Sequence, residues 1–266
     1  MKSRFALVLL FAAAMTSCSS FNSLKVSDSL VRAPTASTDI WDGTYATSFS
    51  EGDGSQSNPY KIKTAKELSY FQKSLSLKSY YQNKYLVLDT DIDLNNLTWP
   101  GIGTGAASGA FKGNFDGNGH TISGMKMEVT AERKGFFNSN SGTVSNLNVE
   151  GTLTGGVEGG IAFGLFAGIN YGNISNCSSK GTLGVTGVYV AGFIGCNAGG
   201  NLTNCVNYEG TIEGSNCVGG IIGYNMVSSN KIGSLSGCKN YATVTAKDYP
   251  KQNYSGLGGI IGVCGS

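Results

Sequence analysis

Charged side chains are scarce in this chain. Asp, Glu, Lys and Arg make up 14% of its 266 residues, whereas about 25% is typical of globular proteins. The formal net charge is +2, and loss of Lys2 and Arg4 with a cleaved leader would bring it to zero. This balance argues against nucleic acid or an anionic membrane surface as a partner.

Long apolar runs are missing beyond the first residues. Residues 5–15 form one apolar run after two basic residues, with the length of a signal-peptide core, and it is too short to span a bilayer. Small residues then precede Cys18, as in a bacterial lipobox, although Met15 stands where Leu or Val is usual.

We therefore predict a lipoprotein signal peptide over residues 1–17 and lipidation of Cys18, which would anchor the protein at the outer membrane or cell surface. Residues 18–40 are rich in Ser, Thr and small side chains and are predicted to form a flexible tether. The alternative is an ordinary secretory signal with a chance cysteine. No membrane contact other than the lipid anchor is expected.

Proline is rare, with 4 residues, whereas glycine is abundant, with 40. The glycines follow no three-residue period, which excludes collagen. This composition favours many tight turns between short strands. The mature chain is long enough for one sizeable core.

Residues 41–100 differ from the rest and are predicted to form an N-terminal cap. A capping box begins at Thr64 and predicts one short amphipathic helix. Residues 85–94 alternate between apolar and polar side chains, which predicts one half-buried strand. A helix at the end of a repeat array would cover the core and its unpaired edges. The apolar residues at helical spacing are Leu68, Phe71 and Leu75.

From residue 101 onwards, three short elements recur in the same order. The first element has four positions: an apolar residue, then Ser or Thr, then Asn or Gly, and finally an apolar residue or Cys. Its copies begin 22, 30, 28 and 33 residues apart. Those copies begin at Ile122, Val144, Ile174, Leu202 and Leu235. The second, a Gly and two large apolar residues, begins at Gly135, Gly164, Gly192, Gly220 and Gly259. The third, a small residue, Thr and an aliphatic residue, begins at Gly151, Gly181, Gly210 and Ala242.

These repeats predict an all-β fold: a right-handed, three-sided parallel β-helix over residues 101–266, with one coil per repeat. The apolar runs are short and broken by Gly, which argues against helical repeats. A β-propeller, whose repeats are usually longer, is the alternative.

Stacked coils place like residues above like at about 4.8 Å. Asn146, Asn176 and Asn204 are therefore expected to form an asparagine ladder at a bend, because Asn tolerates left-handed backbone angles. Gly124 and Gly237 would take the same position in the outer coils. The large apolar residues of the second element would stack into the core.

The repeats resemble the GLUG-motif repeats of surface proteins from Bacteroides-type bacteria. The resemblance rests on residues 164–177, residues 219–223 and the lead-in over residues 111–122, and it covers roughly residues 41–266. It implies a parallel β-helix at the cell surface, adhesion or glycan contact, and no settled activity. Similar repeats also accompany some immunoglobulin-cleaving metallopeptidases, but their His-Glu-x-x-His signature is absent, and the chain has one histidine.

Asp89, Asp91 and Asp93 are the candidate metal ligands. Their two-residue spacing places three carboxylates on one face of a strand, where they could bind Ca²⁺ or contribute to a polysaccharide-cleaving site. The alternative is a solvated strand face. No other cofactor is predicted.

His120 is a candidate acid–base group, or else a turn residue bonded to Asp116 or to the backbone. β-Helix polysaccharide hydrolases usually carry paired aspartates and a Gly-His-Gly segment, whereas this chain has His120 between Gly and Thr and no Asp-Asp pair. β-Helix lyases need acidic Ca²⁺ ligands, and acidic residues are few in the repeats. We therefore assign no catalytic residue and keep a polysaccharide hydrolase or lyase as an alternative function.

Five tyrosines spread through the repeats are the best candidates for ligand binding. Exposed tyrosines along one face could stack on sugar rings, because they combine apolar area with a polar tip. The alternative is that they sit at coil corners and cover the edge of the core. These residues are Tyr171, Tyr189, Tyr208, Tyr224 and Tyr241.

Three of the seven cysteines share one repeat position. Cys177, Cys205 and Cys238 are expected to stack as small buried hydrophobes. The absence of a Cys-x-x-Cys pair argues against structural zinc. Disulfides could form outside the cytoplasm.

The last repeat element ends four residues before Ser266, and no capping segment follows it. We therefore expect either a fragment of a longer protein or a last coil that docks on a partner or on a second copy.

The sequence thus favours a surface binding or adhesion module that contacts a glycan or a host or cell-surface protein, because repeat faces present long contact surfaces. A structural stalk or fibre component is the remaining alternative.

Overall fold

The computed structural model describes residues 38–157, 159–247 and 256–265. In this part of the chain, parallel strands stack as a β-solenoid of about 6 turns, with one short α-helix. The predicted parallel β-helix is therefore confirmed. None of the described helices has the length and apolar character needed to cross a membrane. Cys18, the signal peptide and nearly all of the predicted tether lie outside the described residues.

Four sheets run along the solenoid. The repeat predicts three sides, and the structure has in addition a narrow fourth sheet of four strands. Sheet A contains Thr38–Ile40, Asp91–Asp93, Thr121–Val129, Asn148–Gly156, Ser178–Thr186, Val206–Asn207, Thr211–Gly214, Lys239–Asn240 and Thr243–Ala246. Sheet B contains Tyr60–Ile62, Tyr85–Leu88, Asn114–Asp116, Thr143–Ser145, Asn173–Ser175, Asn201–Thr203 and Leu235–Ser236. Sheet C contains Phe137–Asn140, Ala167–Asn170, Ile194–Ala198, Ile222–Ser228, Lys231–Ile232 and Ile261–Gly265. Sheet D contains Phe163–Gly164, Tyr189–Ala191, Cys217–Gly219 and Gly256–Gly258.

The core is a stack of like residues, coil over coil. In sheet B, Phe115, Val144, Ile174 and Leu202 follow one another in register, and each is at most 1% exposed. The large residues of the second repeat element are equally buried in its first four copies, whereas Ile260 in the last copy is 38% exposed. The rings of Phe166 and Phe193 stack with centroids 4.5 Å apart, as the repeat predicts.

One predicted register is wrong. Ile122 pairs with Val149 in sheet A, and it is Phe115 that pairs with Val144. The step into this coil is therefore 29 residues (115 to 144) instead of 22. Gly124 therefore does not share the position of Asn146. The prediction was wrong because both stretches fit the same short pattern, and only the turn at residues 117–119 distinguishes them.

The asparagine ladder is confirmed. Asn176 donates to Asn146 Oδ1 and Asn204 donates to Asn176 Oδ1, both at 3.3 Å. All three have left-handed backbones, with φ values of 53°, 53° and 52°. Gly237 follows Asn204 in the next coil with a φ of 66°.

A second asparagine ladder, which the sequence reading missed, is fully buried. The side-chain amide of each member donates to the side-chain oxygen of the next, at distances of 2.8, 2.9 and 3.0 Å. Each amide also donates to a glycine carbonyl of its own turn. Asn-x-Gly or Asn-x-Gly-Gly in three successive coils is the signal that could have revealed this ladder. Its members are Asn140, Asn170, Asn197 and Asn225.

The helix covers Ala65–Ser74 as predicted, with Thr64 accepting a hydrogen bond from the Glu67 amide at 3.2 Å. The Glu67 carboxylate does not return to Thr64 but accepts from the amides of Lys63 and Ser50, each at 2.7 Å. The ring of Phe71 packs 5.8 Å from that of Phe115, so the helix lies against the core.

The solenoid also extends further towards the N-terminus than the repeats indicate. The segment 85–94 forms two strands, Tyr85–Leu88 and Asp91–Asp93, which belong to different sheets. Thr38–Ile40, at the end of the predicted tether, is a strand paired with Asp91–Asp93. Coils therefore already begin within the segment assigned to the cap. A short 3₁₀ turn covers Ser79–Tyr81.

Candidate functional site

A second apolar cluster lies outside the main core, on sheets C and D. Its buried residues are covered by three tyrosines and a methionine that are each partly exposed. The buried residues are Ala162, Ile169, Cys196 and Ala198, and the covering residues are Tyr171, Tyr189, Tyr224 and Met226. We call these eight residues the tyrosine face.

The stacking of the coils builds the tyrosine face. Ile169, Cys196 and Tyr224 pair in register across three strands of sheet C, so they form one column along the solenoid. Ala198 pairs with Met226 in a parallel column. The side chains at equivalent positions differ between coils, and the resulting surface therefore changes along the axis.

Glycines bring sheets C and D close together beneath this face. A Cβ on Gly195 would lie 2.2 Å from the Phe163 nitrogen, and a Cβ on Gly223 would lie 2.6 Å from the Val190 nitrogen. Real Cβ atoms do not approach backbone atoms so closely. Only glycine therefore fits these positions, and the tyrosines are held on a closely packed base.

The rings of Tyr189 and Tyr224 stack on each other. Their centroids are 4.6 Å apart and their planes are inclined by 20°. Tyr171 lies on the same cluster, and burial raises the pKa of its hydroxyl. The face thus presents rigid aromatic area with hydroxyl groups, which is suited to amphipathic ligands.

Arg133 lies at one end of the tyrosine face. Its amide donates to the carbonyl of Ile161 at 2.9 Å, directly beside Ala162. Its positive charge opposes the effect of burial on the pKa of both Tyr171 and Cys196. Burial still raises the Cys196 pKa to about 12, so this thiol stays protonated at neutral pH.

The other two predicted tyrosines form a separate stack. Tyr208 and Tyr241 have ring centroids 6.1 Å apart and lie in sheet A turns that follow Val206–Asn207 and Lys239–Asn240. Tyr241 is 54% exposed. The five tyrosines of the sequence prediction therefore fall into two groups on different sheets.

The three aspartates of the sequence prediction are not brought together as a metal centre. Asp91 is buried and accepts from the Thr121 amide at 3.0 Å, whereas Asp93 accepts from the Asn95 amide at 2.7 Å. Asp89 lies between the two strands that replace the predicted single strand. Over residues 38–157, 159–247 and 256–265, no group of three or more His, Cys, Asp or Glu side chains could hold a metal ion.

His120 bonds to a different carboxylate from the one expected. Its Nδ1 lies 2.9 Å from Asp91 Oδ1, and both side chains are largely buried. Asp116 instead accepts from the Asn118 amide and from the Asn146 side chain, both at 2.9 Å. The corrected register explains this, because Ile92 pairs with Ile122 and so brings Asp91 to His120.

The cysteine column is confirmed in adjacent coils. Cys177 and Cys205 are buried, and their thiols donate to carbonyls of the preceding coil at 3.8 and 3.6 Å. Cys238 follows in the next coil and is partly exposed. Burial raises the pKa of Cys177 to about 12, as expected of a small buried hydrophobe.

No family model matches the chain. Over 153 residues, 53% of the chain, it is 30% identical to Halomucin of Haloquadratum walsbyi. Over 138 residues, 49% of the chain, it is 35% identical to a "Putative Gly-rich membrane protein" of Evansella cellulosilytica. The matched segments make up 2% and 15% of these two relatives, so the chain spans a small part of each.

Among solved structures, that of a "putative immunoglobulin A1 protease" from Bacteroides ovatus is similar, with a TM-score of 0.51 and 21% identity. The match covers 82% of this chain and 87% of that protein. At this identity the likeness shows a shared β-solenoid fold alone.

Proposed function

We propose that this protein is a cell-surface binding module that takes carbohydrate on the tyrosine face. The observation that carries the proposal is the pair of stacked, half-buried rings of Tyr189 and Tyr224 over an apolar cluster that is separate from the main core. A second small core on the outside of a solenoid is not needed to close the fold.

The chemistry of the face suits a sugar. A sugar ring has apolar C–H faces and polar edges, and tyrosine offers an apolar ring with a hydroxyl at its tip. The rings already pack against the buried apolar cluster, so little conformational entropy is lost when a ligand binds.

The relatives support a location at the surface or membrane, because one of them is described as a membrane protein. Lipidation of Cys18 would supply the attachment, and the GLUG-type resemblance accords with adhesion to glycans. A host or cell-surface glycoprotein would present the same sugar chemistry.

The test is a glycan array on the full chain, followed by calorimetry on the sugars that bind. Tyr189→Ala and Tyr224→Ala are each expected to weaken binding about tenfold, the usual loss at an aromatic hot spot. Tyr241→Ala, in the other tyrosine stack, is the matched control and should bind normally. Absence of binding to any glycan, or equal loss in all three variants, would refute the proposal.

A further inference from the structure

We infer that the carbohydrate bound by the tyrosine face is acidic and that Arg133 binds its carboxylate. This inference rests on the proposed function and adds the chemical class of the ligand. It follows from the position of Arg133 at one end of a face whose eight residues carry no charged side chain.

The surroundings of Arg133 leave its guanidinium incompletely bonded. Its Nε is buried and has no hydrogen-bond partner within the described structure. The backbone of Arg133 has a φ of 58°, which is uncommon for a side chain of this size, and its amide is tied to Ile161. The residue is thus held in an unusual conformation with a donor that lacks an acceptor.

The ion pair that this guanidinium makes within the described part of the chain is weak. One terminal nitrogen of Arg133 lies 3.1 Å from Glu132 Oε2, and the two side chains are 31% and 49% exposed. Exposed pairs of this kind contribute little to stability. A ligand carboxylate can therefore replace Glu132, and it can bind two guanidinium N–H groups at once, a geometry that favours Arg over Lys.

The tyrosine face itself carries no competing charge. Its eight residues are Ala, Ile, Cys, Met and Tyr, and burial raises the pKa values of Tyr171 and Cys196, which keeps both neutral. The backbone of Arg133 packs on Gly168, next to Ile169 of the face, because a Cβ on Gly168 would lie 2.6 Å from the Arg133 carbonyl carbon. We therefore expect a carboxylate on a sugar that occupies this end of the face to meet the charge of Arg133.

The test uses matched pairs of probes that differ in charge alone: oligogalacturonate, alginate and hyaluronan oligosaccharides, each against its carboxyl-reduced form, and sialyllactose against lactose. Calorimetry on the full chain should show at least one acidic member binding about tenfold or more tightly than its neutral partner. That preference should shrink as salt is added.

Four variants localise the effect. Arg133→Ala should abolish the preference for the acidic member but leave binding of the neutral one unchanged, and Arg133→Lys should restore part of it. Glu132→Gln should strengthen binding of the acidic member, because it removes the competing carboxylate. Lys180→Ala removes an exposed cation of sheet A and should change nothing.

The outcomes separate the two proposals. Equal binding of acidic and neutral members, unchanged in Arg133→Ala, would overturn the role of Arg133 while carbohydrate binding stands. An acidic preference that Lys180→Ala removes and Arg133→Ala does not would place the cation elsewhere and also overturn it. No binding to any of these probes would overturn the inference of an acidic ligand, whereas the glycan array alone decides the proposed function.

Discussion

At the scale of single residues, asparagine holds the corners of this solenoid in two ways. In the outer ladder, Asn176 combines a left-handed backbone with a hydrogen bond to Asn146. In the buried ladder, Asn170 bonds to its neighbours on both sides and to its own turn. Buried amides without such partners would cost about 1–3 kcal/mol each, and the ladders avoid this cost.

Replacing Asn176 separates the backbone effect from the side-chain effect. Asn176→Ala loses the hydrogen bonds and places Ala at a φ of 53°, so we expect a loss of about 1–3 kcal/mol in the free energy of unfolding. Asn176→Gly also loses the bonds but tolerates the backbone, and it should cost less, as Gly237 indicates at the equivalent position. Denaturant unfolding measures both, and a larger loss for Gly than for Ala would contradict this account.

At the scale of elements, the sequence predicted structures that depend on local signals but not the corners at which the chain passes from one sheet to another. The helix over Ala65–Ser74 could be predicted because its capping residue and apolar spacing are local signals. The strand over residues 85–94 was wrong, because alternation continues through a corner and does not show that the chain changes sheets. The register of Ile122 was wrong because residues 122–125 fit the same short repeat pattern as residues 144–147 although they lie in a different sheet.

The glycines between sheets C and D offer a test at this scale. Gly195→Ala would place Cβ 2.2 Å from the Phe163 nitrogen, and overpacking of this kind costs about 1–3 kcal/mol. It should also weaken sugar binding, because the corner supports the tyrosine face. The control is Gly184→Ala, whose Cβ would meet nothing within 4 Å. Thermal unfolding of both variants measures the difference, and equal melting temperatures would contradict the packing argument.

At the scale of the whole molecule, a solenoid makes most of its contacts between neighbouring coils. The repeat spacing is therefore sufficient to predict the fold and the ladder from Asn146 to Asn204. It could not predict which tyrosines meet, because Tyr189 and Tyr224 lie in different sheets and are brought together by coil register and close sheet packing. The His120–Asp91 contact was hidden for the same reason.

Hydroxyl-radical footprinting of the full chain, with and without the tightest glycan found on the array, tests the central claim most directly. The account predicts that oxidation of Tyr189, Tyr224 and Met226 falls when the glycan is bound. It predicts no change at Tyr208 and Tyr241, which form the other stack. Protection of Tyr208 and Tyr241 with none at Tyr189 and Tyr224 would place the ligand on a different sheet and contradict the account.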